Sequence, residues 1–167
     1  ERYQFTREAQ DDYALTSLSN ALGAQEQGAF ENEISAFSLQ TRKGELVYDR
    51  DEQPKLARPE KIPHLKPAFR QNGTVTPANS SSISDGASAL ILASEDHAKS
   101  ADMPIRARIL GHASHAQAPG WFATAPIPAA RKLLERLEWS VKDVDLWEVN
   151  EAFAVVPMAF MQDMGIP

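Results

Sequence analysis

Residues 145–154 set the strongest limit on the fold, because an apolar strand pattern stops there at an asparagine and continues as a helical pattern. Leu146 and Val149 favour a strand, and apolar residues recur at helical spacing after the asparagine. In open α/β sheets ligands bind beyond the carboxyl ends of the strands, which would place the Asn150 amide in a pocket. Asparagine is also a preferred helix N-cap, and Glu151 would suit the first helical turn. The spacing alone favours the capping role for Asn150 and leaves both the capping role and the ligand-binding role open.

The composition is that of a globular domain and limits the classes of partner. The 167 residues are 43% hydrophobic and 24% charged. With 23 acidic and 17 basic residues the net charge is -6, and no basic block suggests nucleic acid as a partner. The apolar runs are too short to span a membrane, and no N-terminal signal pattern is present. We therefore expect a soluble, cytoplasmic protein that acts on a small molecule.

The chain contains no cysteine, which excludes disulfides, thiolate metal sites and cysteine nucleophiles from it. His112 and His115 are the one pair that invites a metal interpretation. Residues three apart on a strand face opposite sides, so the two would share an ion only if the strand had ended. We interpret both as structural or solvent-facing and predict no metal site. The chain opens on Glu1 and closes on residues 165–167 as a helix is being stopped, so we expect a piece of a longer protein.

The pattern along the chain predicts two parts, residues 1–71 and residues 72–167. The first contains a helix capped by Thr6, a surface hairpin and a proline-punctuated irregular segment with room for one short helical turn at most. The second alternates strands and helices, an α/β layered pattern, and its Ser140 and Asp143 resemble a capping box. The predicted strands are residues 34–39, 46–48, 87–93, 105–113 and 145–149, and the predicted helices of the second part are residues 95–101, a helix from 126 and a helix after 150.

A serine-rich loop, residues 77–86, leads into the small and apolar residues 87–93. Such a run is most often a solvated loop. A polar loop that delivers a buried strand can instead line a pocket, and its hydroxyl and N–H groups suit an elongated ligand that carries amides.

Three motifs follow one another along the chain. They are Asn-Gly-Thr-Val-Thr at 72–76 with Asn-Ser-Ser at 79–81 and Ser-Asp-Gly-Ala at 84–87, Ala-Pro-Ile-Pro-Ala at 125–129, and Asn-Glu-Ala-Phe-Ala at 150–154. In this order they resemble the thiolases of the acetyl-CoA acetyltransferase type, and the similarity extends over nearly the whole chain. The resemblance implies part of a thiolase-like layered αβαβα fold with a loop-domain excursion. Residues 1–71 would be the loop-domain portion and residues 72–167 the first part of the C-terminal half.

The resemblance also implies roles near the reacting thioester. Asn150 would hold a water that stabilises the enolate oxygen of the thioester. Oriented donors of this kind contribute on the order of 3 kcal/mol to transition-state stabilisation. Phe122 falls near the wall of the acyl pocket, and Ala152 and Phe153 fall near the thioester itself.

Three further residues match positions that contact coenzyme A in the family. Ser81 would contact the pantetheine arm. Arg58 would lie along the adenine or a phosphate, and Phe69 would be an aromatic neighbour of the nucleotide. No cofactor is implied, because coenzyme A thioesters are the substrates.

The departures from the family are as informative as the matches. Thiolases use a nucleophilic cysteine, a histidine in a Gly-His-Pro motif and a second, acid/base cysteine, and this chain has none of the three. The resemblance thus implies that the complete protein, as a homodimer or homotetramer, condenses two acetyl-CoA to acetoacetyl-CoA or runs the reverse thiolysis. This chain alone would be inactive and would need the remaining thiolase segments. A ketoacyl synthase or sterol-carrier-type thiolase is disfavoured, because those families differ at Asn-Glu-Ala-Phe. The alternative function is a non-enzymatic module that binds coenzyme A or another subunit.

Overall fold

The computed structural model describes residues 2–167, which form two compact units. The N-terminal unit comprises Glu1–Ser81 with Phe153–Val155, and the C-terminal unit comprises Ser82–Ala152 with Val156–Pro167. The division after residue 71, drawn from the sequence, stays a prediction.

The N-terminal unit is built on helix α1, Arg7–Glu26. Thr6 caps it as predicted, because its hydroxyl oxygen accepts a hydrogen bond from the Ala9 amide at 3.1 Å. The side chains that α1 buries most deeply are polar, namely Gln10 and Asp11. A buried polar side chain requires hydrogen-bond partners, so α1 is held by polar contacts as well as by its apolar face.

The predicted hairpin is confirmed. Strands β1, Phe37–Thr41, and β2, Gly44–Tyr48, pair antiparallel. The Thr41 hydroxyl donates to the Gly44 carbonyl at 2.7 Å and accepts from the Lys43 amide at 3.1 Å, which closes the turn. Gly44 has a φ of 120°, a conformation that favours glycine.

The irregular segment after the hairpin holds more helix than predicted. It contains α2, Gln53–Leu56, and a 3-10 helix, Pro59–His64, where the prolines were expected to allow one short turn at most. That expectation was wrong because Pro54 and Pro59 stand in the first turns, where a missing N–H costs no intrahelical hydrogen bond. A second 3-10 turn, Pro77–Asn79, follows later in the unit.

The C-terminal unit contains two helices that the sequence predicts. Helix α3, Glu95–Ser100, is capped by Ser94, whose hydroxyl accepts from the His97 amide at 3.2 Å. Helix α4, Pro126–Leu137, starts with prolines in its first turn and ends at Glu138, which is left-handed at a φ of 55°. The 3-10 helix Pro119–Thr124 precedes α4, and the 3-10 turn Val141–Asp143 follows it.

The last helix, α5, is Val155–Met164 and begins later than the sequence suggests. The capping role considered for Asn150 is therefore wrong. The reason is a long-range contact in the N-terminal unit: Phe153 forms an isolated antiparallel bridge with Ser80, and the Ala154 amide donates to the Asn79 carbonyl at 3.0 Å. Backbone engaged in this way belongs to a strand-like pair and not to a helical turn.

The apolar core of the C-terminal unit lies between α4 and α5. Ile127, Phe160 and Met164 are buried, and partly buried residues including Leu134 and Val149 pack against them. The Trp147 ring meets the Phe160 ring edge to face, with centroids 5.3 Å apart. This packing fixes the chain on the approach to Asn150.

The three segments predicted as strands in the C-terminal unit, residues 87–93, 105–113 and 145–149, do not pair within residues 2–167, where β1 and β2 form the one sheet. A strand is defined by its ladder of hydrogen bonds, and these segments find no neighbouring strand in the described part of the chain. Their apolar side chains stay exposed: Leu90 is 88% exposed, Ile109 70% and Leu146 82%. Across residues 2–167, every helix is too short or too polar to cross a membrane.

Candidate active site

A cavity of about 390 Å³ lies within the C-terminal unit. Its walls are mostly apolar, and the polar residues on them are Glu148 and Asn150. A concave apolar site with few polar groups is the usual form of a small-molecule site. The lining residues are Phe122, Ala123, Pro126, Ala129, Ala130, Trp147, Glu148, Val149, Asn150, Ala152, Val156 and Phe160.

The local sequence explains the shape of this cavity. Helix α4 presents Ala129 and Ala130 to it, and these small side chains leave space beside the Trp147 and Phe160 rings. Phe122, in the 3-10 helix before α4, is 58% exposed. Phe122 therefore contributes a wall that a bound molecule would cover.

Asn150 is a polar residue on this wall that can both donate and accept hydrogen bonds. It is solvent-exposed and follows Val149, which packs against the core. Since α5 begins at Val155, Asn150 does not serve as that helix's cap. Its amide offers two N–H donors and one carbonyl acceptor to the cavity, enough to hold a water or a substrate oxygen. The structure thus brings Phe122, Asn150 and Ala152 together around one cavity.

The N-terminal unit contains the other predicted site residues. The Phe69 and Phe153 rings meet edge to face, with centroids 6.0 Å apart and an interplanar angle of 75°. Phe69 is 74% exposed, so most of this residue is accessible to a ligand. Ser81 is exposed and directly follows Ser80, which bridges Phe153. Arg58 is exposed at the start of the Pro59–His64 helix, where its carbonyl accepts from the Lys61 amide at 3.0 Å.

The sequence did not reveal the role of Asn79, which is only 3% exposed. Its Oδ1 accepts from the Thr76 amide at 2.8 Å, and its Nδ2 donates to Asp11 Oδ1 at 3.0 Å and to the Thr74 carbonyl at 3.1 Å. Thr76 and Asn79 form a capping box around the Pro77–Asn79 turn. The spacing of Thr76 and Asn79 was the available signal, but the serine-rich surroundings suggested a solvated loop.

Asp11 connects Asn79 to the rest of the N-terminal unit. Asp11 Oδ2 accepts from Arg7 Nε at 2.6 Å, one turn earlier on α1. The remaining Arg7 nitrogens donate to the Leu65 carbonyl at 3.1 Å and to the Ile62 carbonyl at 2.8 Å. The carboxylate and the guanidinium are therefore both satisfied.

The two carboxyls with lowered pKa values lie outside the cavity. Within residues 2–167, no three or more histidine, aspartate or glutamate side chains are grouped to hold a metal ion. The Ser140 hydroxyl and amide lower the pKa of the exposed Asp143 carboxyl. The hydrogen bond and charge of Arg50 lower the pKa of Asp49. Neither Asp49 nor Asp143 lines the cavity, whose polar residues are Glu148 and Asn150.

Comparison with known families assigns both ends of the chain to one family. The family model of the thiolase N-terminal domain matches residues 1–96, and that of the thiolase C-terminal domain matches residues 103–167. The chain belongs to the thiolase family.

Curated relatives and solved structures agree with this assignment. The chain is 49% identical over 160 residues to a probable acetyl-CoA acetyltransferase of Dictyostelium discoideum, covering 95% of the chain and 39% of the relative. It is 42% identical to an acetyl-CoA acetyltransferase of Pseudomonas aeruginosa, covering 99% of the chain and 42% of the relative. The chain thus spans about two-fifths of the length of these relatives.

Two solved structures confirm that the chain has part of the α/β thiolase fold. The acetyl-CoA acetyltransferase of Bacillus anthracis superposes with a TM-score of 0.95 at 40% identity, covering 99% of this chain and 42% of that one. A thiolase of Ascaris suum in complex with coenzyme A superposes with a TM-score of 0.91 at 36% identity, again covering 99% and 42%.

Proposed function

We propose that this chain is part of an acetyl-CoA acetyltransferase, which transfers acyl groups between coenzyme A thioesters. The complete protein would condense two acetyl-CoA to acetoacetyl-CoA and catalyse the reverse thiolysis. The observation that carries the proposal is the apolar cavity with Asn150 and Ala152 on its wall, in a chain whose relatives are acetyl-CoA acetyltransferases.

In this proposal the cavity of the C-terminal unit receives the acyl end of the thioester. The apolar wall, including Phe122, excludes water around the acetyl group. When a base outside this chain removes a proton from the acetyl methyl group, negative charge collects on the thioester oxygen of the resulting enolate. The enolate carbon then attacks the carbonyl carbon of the second acyl thioester, which forms the new C–C bond, breaks that thioester's C–S bond and releases its sulfur as a thiolate. Asn150 holds a water against that oxygen, so the amide acts when the charge develops. The proton transfers and the thiolate nucleophile come from segments outside this chain, since the chain has no cysteine.

The N-terminal unit provides the proposed contacts for coenzyme A. The exposed Phe69 ring, which is in T-shaped contact with Phe153, is suited to stack on an aromatic base. Arg58 supplies a charge for the nucleotide end, and Ser81 a hydroxyl for the amides of the pantetheine arm. We further propose a cytoplasmic protein that assembles as a homodimer or homotetramer.

A second candidate function is a non-enzymatic module that binds coenzyme A or another subunit. The absence of cysteine from the chain favours it, because no thiol nucleophile is available within these residues.

Thiolysis of acetoacetyl-CoA by coenzyme A distinguishes the two functions. The complete protein should turn over and should lose activity on thiol alkylation, whereas residues 1–167 alone should be inactive. Alkylation-resistant turnover by residues 1–167 would contradict the proposal that the thiolate nucleophile comes from segments outside this chain. A complete protein that binds coenzyme A without turnover would establish the second function instead.

A further inference from the structure

One continuous set of buried and partly buried hydrogen bonds joins two parts of the N-terminal unit that carry proposed coenzyme A contacts. At one end, Arg7 donates to the carbonyls of Ile62 and Leu65, which lie within and just after the 3-10 helix that Arg58 begins. At the other end, the Asn79 carbonyl accepts from the Ala154 amide, next to Phe153. Arg7, Asp11 and Asn79 make the connection between the two ends.

The side chains in the middle of this network cannot be exchanged freely. Asn79 uses its carbonyl oxygen toward Thr76 and its NH2 group toward Asp11 and Thr74, and it is buried. A carboxylate at position 79 would have no hydrogen to donate and would face the Asp11 carboxylate at hydrogen-bond distance. The Asp11 side chain is only 9% exposed and needs both its Arg7 and its Asn79 partner, because a buried charge without partners is costly.

The network ends at the aromatic pair that would support the nucleotide. Asn79 and Ser80 hold the backbone of Phe153 and Ala154 through the bridge and the amide hydrogen bond. The Phe153 ring in turn contacts the Phe69 ring in a T-shaped arrangement. A shift of the Asn79 backbone would therefore move Phe153 and remove the support of the Phe69 ring.

We propose that Asp11 and Asn79 are positioning residues that hold the coenzyme A surface of the N-terminal unit in its binding geometry. The proposal rests on the function proposed above and adds residues that do not contact the substrate. It predicts an effect on the affinity for coenzyme A and little effect on the chemical step, because the cavity with Asn150 belongs to the other unit.

The test is steady-state thiolysis by the complete protein that carries Asn79→Asp. We expect KM for coenzyme A to rise about tenfold, with kcat changing less than about threefold. Residues that share one hydrogen-bond network are coupled by free energies that correspond to changes of about this size in affinity. A second variant, Asp11→Asn, removes the buried carboxylate and should raise KM in the same way. Asp12→Asn is its matched control, because it removes the same charge one residue further along α1, at an exposed position, and should leave KM unchanged.

The double variant Asp11→Asn with Asn79→Asp distinguishes positioning from general damage. It reverses the donor and the acceptor of the contact between residues 11 and 79, so the Asn NH2 can donate to the Asp carboxylate. We expect it to recover part of the KM lost by Asn79→Asp. If Asn79→Asp does not fold, KM of the Asp11→Asn variant tests the proposal on its own, and we expect the same rise in KM.

Three results would overturn the proposal: an unchanged KM, a fall in kcat as large as the rise in KM, or a fall in melting temperature without a kinetic change. Wild-type protein without thiolase activity would instead reject the proposed function. Coenzyme A titrated calorimetrically into wild type and variants then decides the positioning role on its own: an unchanged Kd in the variants overturns it.

Discussion

The two units bury different kinds of side chain. In the described chain, the buried polar residues Gln10, Asp11, Thr76 and Asn79 all lie in the N-terminal unit, whereas Ile127, Phe160 and Met164 form an apolar core in the C-terminal unit. Hydrogen bonds depend on direction and fix particular backbone positions, while apolar packing is less directional and tolerates a cavity beside it. This difference supports the proposal that the N-terminal unit binds the long polar coenzyme A and that the cavity of the C-terminal unit receives the small acyl group.

The largest effect is expected when residues 1–167 are expressed alone. The exposed apolar segments of the C-terminal unit, with Leu90, Ile91 and Leu92 at 74 to 88% exposure, should drive association. Size-exclusion chromatography should show aggregates or oligomers, and a hydrophobic-surface dye should bind. Ile91→Lys should reduce both signals, whereas Lys99→Arg, at an exposed position, should not. A sharp monomeric peak with a cooperative melt would favour an independent module.

The next largest effect concerns the apolar core. In the complete protein, Phe160→Ala should reduce stability by about 3 to 5 kcal/mol, because it leaves a cavity next to Trp147. Phe160→Leu keeps most of the volume and should cost less. Urea unfolding followed by tryptophan fluorescence measures both, and equal stability of the alanine variant and wild type would show that this core contributes little.

A smaller effect is expected from the polar interior of the N-terminal unit. Thr76→Val preserves shape but removes the hydroxyl that accepts from the Ala78 amide, and Thr76 is fully buried. We expect a loss of about 1 kcal/mol, typical of a cap. Thr16→Val, at an exposed position on α1, serves as the control. If Thr76→Val cost as much as Phe160→Ala in the same unfolding experiment, the contrast between the units would fail.

The smallest effect is expected at the exposed capping box of the C-terminal unit. Hydrogen bonds from the Ser140 hydroxyl and amide hold the pKa of Asp143 below its ordinary value of 3.8. The carboxylate's contribution to folding is therefore complete above that value and is lost as pH falls through the lowered pKa. Ser140→Ala removes the hydroxyl and leaves the amide, so an NMR titration should find the Asp143 pKa raised but still below 3.8. No change of the Asp143 pKa would contradict the capping geometry.

Local features could be predicted from the sequence, and long-range ones could not. The Thr6 cap, the hairpin, α3, α4 and the Ser140–Asp143 capping box each depend on residues a few positions apart. The start of α5 was placed too early because it is set by contacts with residues 79 and 80. Likewise, the contact between Asp11 and Asn79 joins residues 68 positions apart and leaves no periodic signal.

For the site, the resemblance predicted individual residues but not which of them lie together. Phe122, Asn150 and Ala152 share one cavity, and Phe69 and Phe153 share a ring contact. Neither grouping follows from spacing, because both depend on how distant segments pack. The strands at 87–93, 105–113 and 145–149 were predicted from composition, but their pairing requires neighbours that the described residues do not supply.

Asn150 provides the most direct test of the proposed acyl site. In the complete protein, Asn150→Ala should lower kcat for thiolysis about 100-fold or more, with a smaller change in KM, because the proposed role of the amide is to stabilise the developing oxyanion. The melting temperature should not change, because Asn150 does not cap α5. Asn150→Asp should fold equally well and be at least as inactive, because it places negative charge beside that oxyanion. Gln162→Ala, the loss of an exposed amide on α5, is the matched control. Unchanged kcat with a lower melting temperature in Asn150→Ala would contradict the catalytic role and restore a structural one.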